Sequence, residues 1–92
     1  MHQVTLLPAA EISFKKLDKS VQLRIADKID WLAANADQII HHPLISLPDD
    51  LRGLCRARAG DYRIIYWIHD TVKMIKIYAI EHRSKKYRSL KR

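Results

Sequence analysis

The sequence predicts an α+β domain. An N-terminal strand leads into an antiparallel helical hairpin packed on one face of an antiparallel sheet, in the order β-α-α-β-β-β, with a short C-terminal helix. Three observations carry this expectation. Apolar residues recur at helical spacing from Pro8 to Ala36, they alternate at period two from Leu54 onward, and the change of period falls at "HHPLISLPDD", a segment with two prolines and two aspartates. The composition agrees: 92 residues, 48% hydrophobic, with only 2 Gly and 3 Pro, suit one packed domain rather than a disordered tail.

The elements follow in order. "QVTLLP" is short, apolar and β-branched, and Pro8 stops it as a strand. Pro8 then suits the first turn of a helix, where its missing N–H costs nothing, and Ala10, Phe14 and Leu17 share one face of that helix. Asp18-Lys19-Ser20 interrupts the pattern, with Ser20 the expected cap of the next helix. Val21, Ile25, Ile29, Leu32 and Ala36 then form one stripe at helical spacing, with Asp27, Lys28, Asp30 and Asp37 largely outside it. So short a connection makes the two helices an antiparallel pair.

Residues 41–50 read as a loop or crossover. "LCRARA" then sets Cys55, Ala57 and Ala59 on one side and Leu54, Arg56 and Arg58 on the other. Gly60-Asp61 is a tight turn into "YRIIYWIH", and a second short turn near Asp70-Thr71 leads to "VKMIKIYAI". The polar, basic run "EHRSKKYRSLKR" ends the chain.

Charge is divided unevenly. Residues 1–50 hold 5 Lys/Arg and 7 Asp/Glu, whereas residues 51–92 hold 12 and 3. A basic half of this kind attracts polyanions, nucleic acid foremost; the alternative is a solvated basic tail. A single cysteine forms no internal disulfide and points to a reducing, cytoplasmic compartment. The N-terminus lacks the pattern of a signal peptide, and no apolar run is long enough to cross a bilayer. No membrane partner is expected.

If the small residues Cys55, Ala57 and Ala59 lie beneath the helices, Arg56 and Arg58 project from the other, free face. Arg63, just beyond the turn, approaches them across the hairpin. Like charges opposed across strands destabilise the pair, so three arginines there suit an anion held between them. The alternative is pairing with Asp61, Asp70 or Glu81, but 3 acids cannot serve 12 basic residues. His82, Arg83 and Tyr87 follow the last strand. His and Tyr move protons, and Arg stabilises charge developing on phosphate. RNA supplies its own nucleophile, the 2′-OH, so such a cluster suits phosphodiester cleavage.

"LRGLCRARAGDYRIIYWIHD" followed by "AIEHRSKKY" resembles the RelE/ParE superfamily of bacterial and archaeal toxins from type II toxin–antitoxin systems. The likeness runs along essentially the whole chain, as a single toxin domain over residues 1–92. "GDYRIIY" marks the superfamily, and His-Arg followed by Tyr87 leans toward its RelE-like ribonucleases. The resemblance implies a ribosome-dependent mRNA endoribonuclease that cuts in the ribosomal A site, leaves a 2′,3′-cyclic phosphate and uses no metal and no cofactor. It implies an antitoxin encoded alongside, in a higher-order toxin–antitoxin complex, with the free sheet face as the mRNA groove.

Carried over position by position, Arg56 and Arg63 match basic residues that hold the scissile phosphate. Arg83 matches the arginine that stabilises the transition state, and Tyr87 the tyrosine that stacks on or orients the substrate. His82 matches a position whose part in proton transfer varies among members. Arg52, Arg58, Lys76, Lys85, Lys86 and Arg88 are the expected contacts to the RNA backbone. Three positions depart from the pattern. Leu54 stands where some active members carry a further basic residue. Glu81 replaces a small residue and is placed to pair with Arg83, and Lys86 replaces an apolar one. These departures bear on the rate and on the general base. A ParE-like gyrase inhibitor on the same fold is the second reading, and a weakly catalytic homologue that mainly binds its antitoxin is the third.

Four other features have structural readings. His41 and His42 are expected as a loop pair rather than metal ligands, Cys55 as packing under the helices, and Trp31 as packing on the long helix. Trp67 and Tyr78 fit either face of the sheet.

Overall fold

The computed structural model describes residues 1–90; Lys91 and Arg92, the end of the basic run, lie outside the described residues. Strand β1 spans Gln3–Leu6, helix α1 Pro8–Lys15 and helix α2 Lys19–Asn35. A two-residue strand β2 (His42–Pro43) precedes β3 (Cys55–Ala59), β4 (Tyr62–His69) and β5 (Met74–His82). The sheet order is β1-β5-β4-β3-β2.

The sheet is mixed rather than wholly antiparallel. Strands β3, β4 and β5 alternate in direction, as tight hairpins require, but β1 lies parallel to β5. Its connection to the rest is the helical hairpin, a crossover long enough to permit that direction. The expected loop 41–50 contributes β2, which pairs only with Arg56 and Cys55. Asp18, not Ser20, occupies the N-cap of α2. The expected C-terminal helix is realised as two single 3-10 turns, Arg83–Lys85 and Arg88–Leu90.

The principal core lies between helices and sheet. Ile25, Ile29, Leu32 and Ala36 of the predicted stripe pack against Ile64, Tyr66, Ile75, Ile77 and Ile80. Fully burying one such isoleucine contributes roughly 1.5–3 kcal/mol. Cys55 and Ala59 lie in the same core, as the small-residue alternation requires. Burial raises the Cys55 thiol above its ordinary pKa, which keeps it protonated and unreactive. Burial first, and then the neighbouring Cys55, push the Tyr66 phenol upward too.

Tyr66 has a partner suited to its neutral form. His41 Nε2 donates to the Ala36 carbonyl at 2.9 Å, so its Nδ1 accepts from the Tyr66 hydroxyl at 2.6 Å. His41 thus joins the end of α2 to β4, while His42 is an exposed residue of β2. His2 is buried and directs Nε2 to Asp70 at 3.4 Å and Asp37 at 4.0 Å. Asp37 also takes Lys73 at 3.2 Å, so the N-terminal strand, the end of α2 and the β4–β5 turn meet there.

The far face of the sheet is not wholly free, contrary to the expectation of an open groove along its length. A second core of Leu51, Leu54, Ile65 and Ala79 covers part of it, with Leu44, Leu47, Trp67, Tyr78, Tyr87 and Leu90 packed around. Trp67 and Tyr78 are assigned to this face, their rings 5.4 Å apart and edge-on. Trp67 Nε1 donates to the Arg52 carbonyl at 2.9 Å, which fixes the Leu51–Leu54 segment over the sheet. Trp31, by contrast, does not pack as expected: it is 45% exposed on α2.

Candidate active site

Alternation along β3 places Arg56 and Arg58 on the far face, both exposed, at the end that the second core leaves uncovered. The β3–β4 turn brings Arg63 to the same end, directly opposite Arg58. Gly60 makes this turn possible. It has φ +62° while Asp61 stays out of the left-handed region, the arrangement of a type II′ hairpin, which favours Gly at its first central position. A Cβ there would stand 2.7 Å from Arg24 Nη1, so the tip of the α2 arginine lies against the turn.

Strand β5 contains a bulge that decides what joins them. Ile65 pairs with Ala79 but Tyr66 with Ile77, leaving Tyr78 as the extra residue. Beyond it the parity of β5 is inverted: Ile80 and His82 face the helices, and Glu81 faces Arg63 across the hairpin. Bulges re-aim side chains in this way beside functional sites.

Tyr87 is the centre of the cluster. Its hydroxyl accepts from Arg56 Nη1 at 3.0 Å, and its ring lies 4.2 Å from the Arg63 guanidinium carbon, a cation–π contact. Arg63 Nη1 also donates to the Arg83 carbonyl at 3.2 Å. The Arg83 backbone N–H donates to the Asp61 carbonyl at 2.8 Å, and Arg83 Nε lies 3.7 Å from the Asp61 carboxylate. Four of the five residues expected to carry catalysis, Arg56, Arg63, Arg83 and Tyr87, are therefore joined in one network. Lys86 and Tyr87 hold left-handed backbone, with φ +51° and +62°. Each costs a non-glycine residue on the order of 1–2 kcal/mol, a strain of the kind that clusters at functional sites.

His82 is not brought to this network. The inverted parity turns it to Tyr62, ring centroids 5.2 Å apart. Its Nδ1 accepts from the Ser84 backbone N–H at 3.1 Å, capping the 3-10 turn that carries Arg83. Glu81 does not pair with Arg83 as expected, because Asp61 holds that arginine; instead its Oε2 accepts from the Ser89 N–H at 3.3 Å. Glu81 Oε1 is buried with no hydrogen-bond partner among the described residues.

The expected RNA-backbone residues are scattered more widely. Arg58 and Lys86 border the cluster, and Lys86 lines a groove of about 560 Å³ with Arg56, Tyr87, Leu90 and the 43–48 loop. Lys76 is half-buried opposite Trp67, farther along the same face. Arg52 is tied to Asp49 at 2.7 Å, and Lys85 and Arg88 are exposed on the terminal turns. Asp61 and Ser89 organise the site without having been singled out for these contacts in the sequence. Asp61 was read as a turn residue and as an alternative partner for the strand arginines rather than for Arg83, and nothing local marks Ser89. No helix among the described residues is long and apolar enough to cross a membrane.

Comparison with known proteins bears on the family and the fold. The family model described as the ParE toxin of type II toxin-antitoxin system, parDE, matches residues 4–87. The toxin RelE of Mycobacterium tuberculosis (strain ATCC 25618 / H37Rv) is 37% identical over 73 residues, 71% of this chain and 72% of that protein. Solved structures share the fold. In the toxin-antitoxin complex RelBE2 from Mycobacterium tuberculosis, the match has a TM-score of 0.73 at 24% identity, covering 89% of this chain and 98% of the other. The isolated E. coli RelE toxin gives 0.71 at 13% identity over 99% and 100% of the two chains. The archaeal RelE-RelB complex from Pyrococcus horikoshii OT3 gives 0.66 at 26% identity over 91% and 97%. With the family model matched over residues 4–87 and a relative 37% identical over 71% of this chain, the chain belongs to the RelE/ParE family of toxins from type II toxin–antitoxin systems.

Proposed function

We propose that this toxin is a ribosome-dependent mRNA endoribonuclease that acts in the A site and blocks translation. The observation that carries the reading is the convergence of Arg56, Arg63 and the Arg83 backbone on Tyr87 and its surroundings. Guanidinium groups on one exposed face suit a phosphodiester, because their planar forks match phosphate oxygens and their charge is permanent.

In the proposed reaction the 2′-oxygen attacks the adjacent phosphorus as its proton is removed. The bond to the 5′-oxygen breaks, and that oxygen takes up a proton. Arg56 and Arg63 hold the phosphate, and Arg83, released from its long contact with Asp61, neutralises the charge gathering on the phosphorane. Tyr87 sets the two phosphate-holding arginines in place and offers its ring to a base. His82 acts on Arg83 through the turn it caps. The relatives whose solved structures are toxin–antitoxin complexes support an antitoxin as the partner of this chain, expected on the basic face and in a higher-order complex. A reducing cytoplasm suits both partners and the single thiol.

The test is primer extension on mRNA held in translating ribosomes, with antitoxin-free protein. Wild type should cut at A-site codons, and Arg83→Ala should lower the single-turnover rate on the order of 10²–10³-fold. A change of less than several-fold would remove Arg83 from the mechanism. The name of the matching family model and the turning-away of His82 favour a second reading, a gyrase inhibitor. Folded wild type that makes no cuts but inhibits gyrase supercoiling would establish it.

A further inference from the structure

A second groove, of about 380 Å³, lies on the other side of the β3 edge, between that strand and α2. Lys28 and Trp31 of α2 form one wall, with Arg56, Arg58 and His42 opposite and Ile39 and Leu32 among the apolar floor. No carboxylate lines it among the described residues; Asp27 and Asp30, on the same helix, do not. Helical geometry explains this. Arg24, Lys28 and Trp31 are spaced i, i+4, i+7 and share a stripe beside the buried one, and that stripe faces the edge of β3. Strand β2 pairs only with Arg56 and Cys55, so it does not close the groove beyond them.

Trp31 is the unusual member. It is 45% exposed, and Lys28 Nζ stands 4.2 Å from the ring centroid. An accessible indole with a cation on it, in a groove of one sign of charge, is the pairing by which single-stranded nucleic acid is held without sequence preference: base on ring, phosphate on cation. Arg56 lines both this groove and the one at Tyr87, so the two share that guanidinium.

We propose that this groove is an additional RNA subsite, which stacks a base flanking the scissile phosphodiester on Trp31 and holds its phosphate with Lys28 and Arg58. The proposal rests on the reading of the toxin as a ribonuclease. An acidic peptide is the competing occupant of a basic groove; the exposed indole with its adjacent cation favours a nucleotide.

The test uses antitoxin-free protein and fluorescein-labelled single-stranded RNA made uncleavable by 2′-O-methylation, three nucleotides long or extended by two at either end. Extension at one end should tighten binding about tenfold, the order expected of one stacked base. Trp31→Ala should abolish that gain, and Lys28→Gln should reduce it, with the thermal midpoint unchanged because both side chains lie outside the core. A gain that persists in Trp31→Ala, or no gain at either end, would overturn the subsite. So would a loss in Trp31→Ala confined to the binding of an acidic peptide. The gain should survive Arg83→Ala. Wild type that shows the gain but cuts no mRNA on ribosomes would leave the subsite standing and overturn the ribonuclease reading.

Discussion

Tyr87 shows how much of the site rests on single side chains. Its hydroxyl and its ring engage different arginines, so the two contributions separate by mutation. Tyr87→Phe keeps the ring under Arg63 and loses one exposed, charge-assisted hydrogen bond. It should lower ribosome-dependent cleavage roughly tenfold, the equivalent of about 1.4 kcal/mol. Tyr87→Ala loses ring and hydroxyl and should cost at least tenfold more. Equal rates for the two variants in single-turnover assays would show that the ring contributes nothing. At this scale the arginines were legible because "CRARA" alternates strictly and Gly60-Asp61 fixes the turn. His82 was misplaced for a physical reason: the bulge at Tyr78 inverts every position after it, and "KIYAIEH" contains no glycine or proline to announce that. Tyr87 was legible as a proton-moving residue after the last strand, but the left-handed backbone of Lys86 and of Tyr87 itself is announced by no glycine.

Among the elements, the far face of β3 to β5 departs most from what the sequence suggested. Helices α1 and α2 and their stripe were readable from period alone, since their burial is set locally. The cover over the far face was not, because it comes from long-range packing of Leu44, Leu47 and Leu90 onto Leu54 and Ile65. This cover also explains one departure from the family pattern. Leu54 is fully buried, so a basic residue could stand there only if the Leu51–Leu54 segment were held farther from the sheet. Leu54→Lys should therefore destabilise the fold by about 3 kcal/mol or more, as an unpaired ammonium in an apolar site does. It should not raise the cleavage rate. Urea unfolding measures the first outcome. A variant as stable as wild type would show that the second core gives way easily.

For the whole molecule, the division of charge matters more than any pair. The basic half gathers on the far face, the β3 edge and the terminal turns, while Glu11, Asp27 and Asp30 of the first half sit on the helices, with Asp18 and Asp37 flanking α2. The ion pairs at this surface are exposed, such as Arg83 with Asp61, and contribute little to stability. Their cations are thus available to a polyanion or an acidic antitoxin segment. Antitoxin binding should weaken on the order of tenfold between low and high salt, since exposed charges are screened. Affinity indifferent to salt in isothermal titration would point to an apolar interface instead. Charge asymmetry was fully legible from composition; the course of the positive surface round the β3 edge required the fold.

In the proposed reaction this surface cuts RNA by means of the substrate's own 2′-OH. The most direct measurement places one 2′-deoxynucleotide on the 5′ side of the mapped cleavage position, in an mRNA otherwise unchanged and held in the ribosomal A site. The all-ribose message should be cut, and the single deoxy substitution should abolish the cut at that position, with neighbouring sites unaffected. Cleavage that continues across the deoxy linkage would rule out this mechanism, because the attacking oxygen would then have to come from elsewhere.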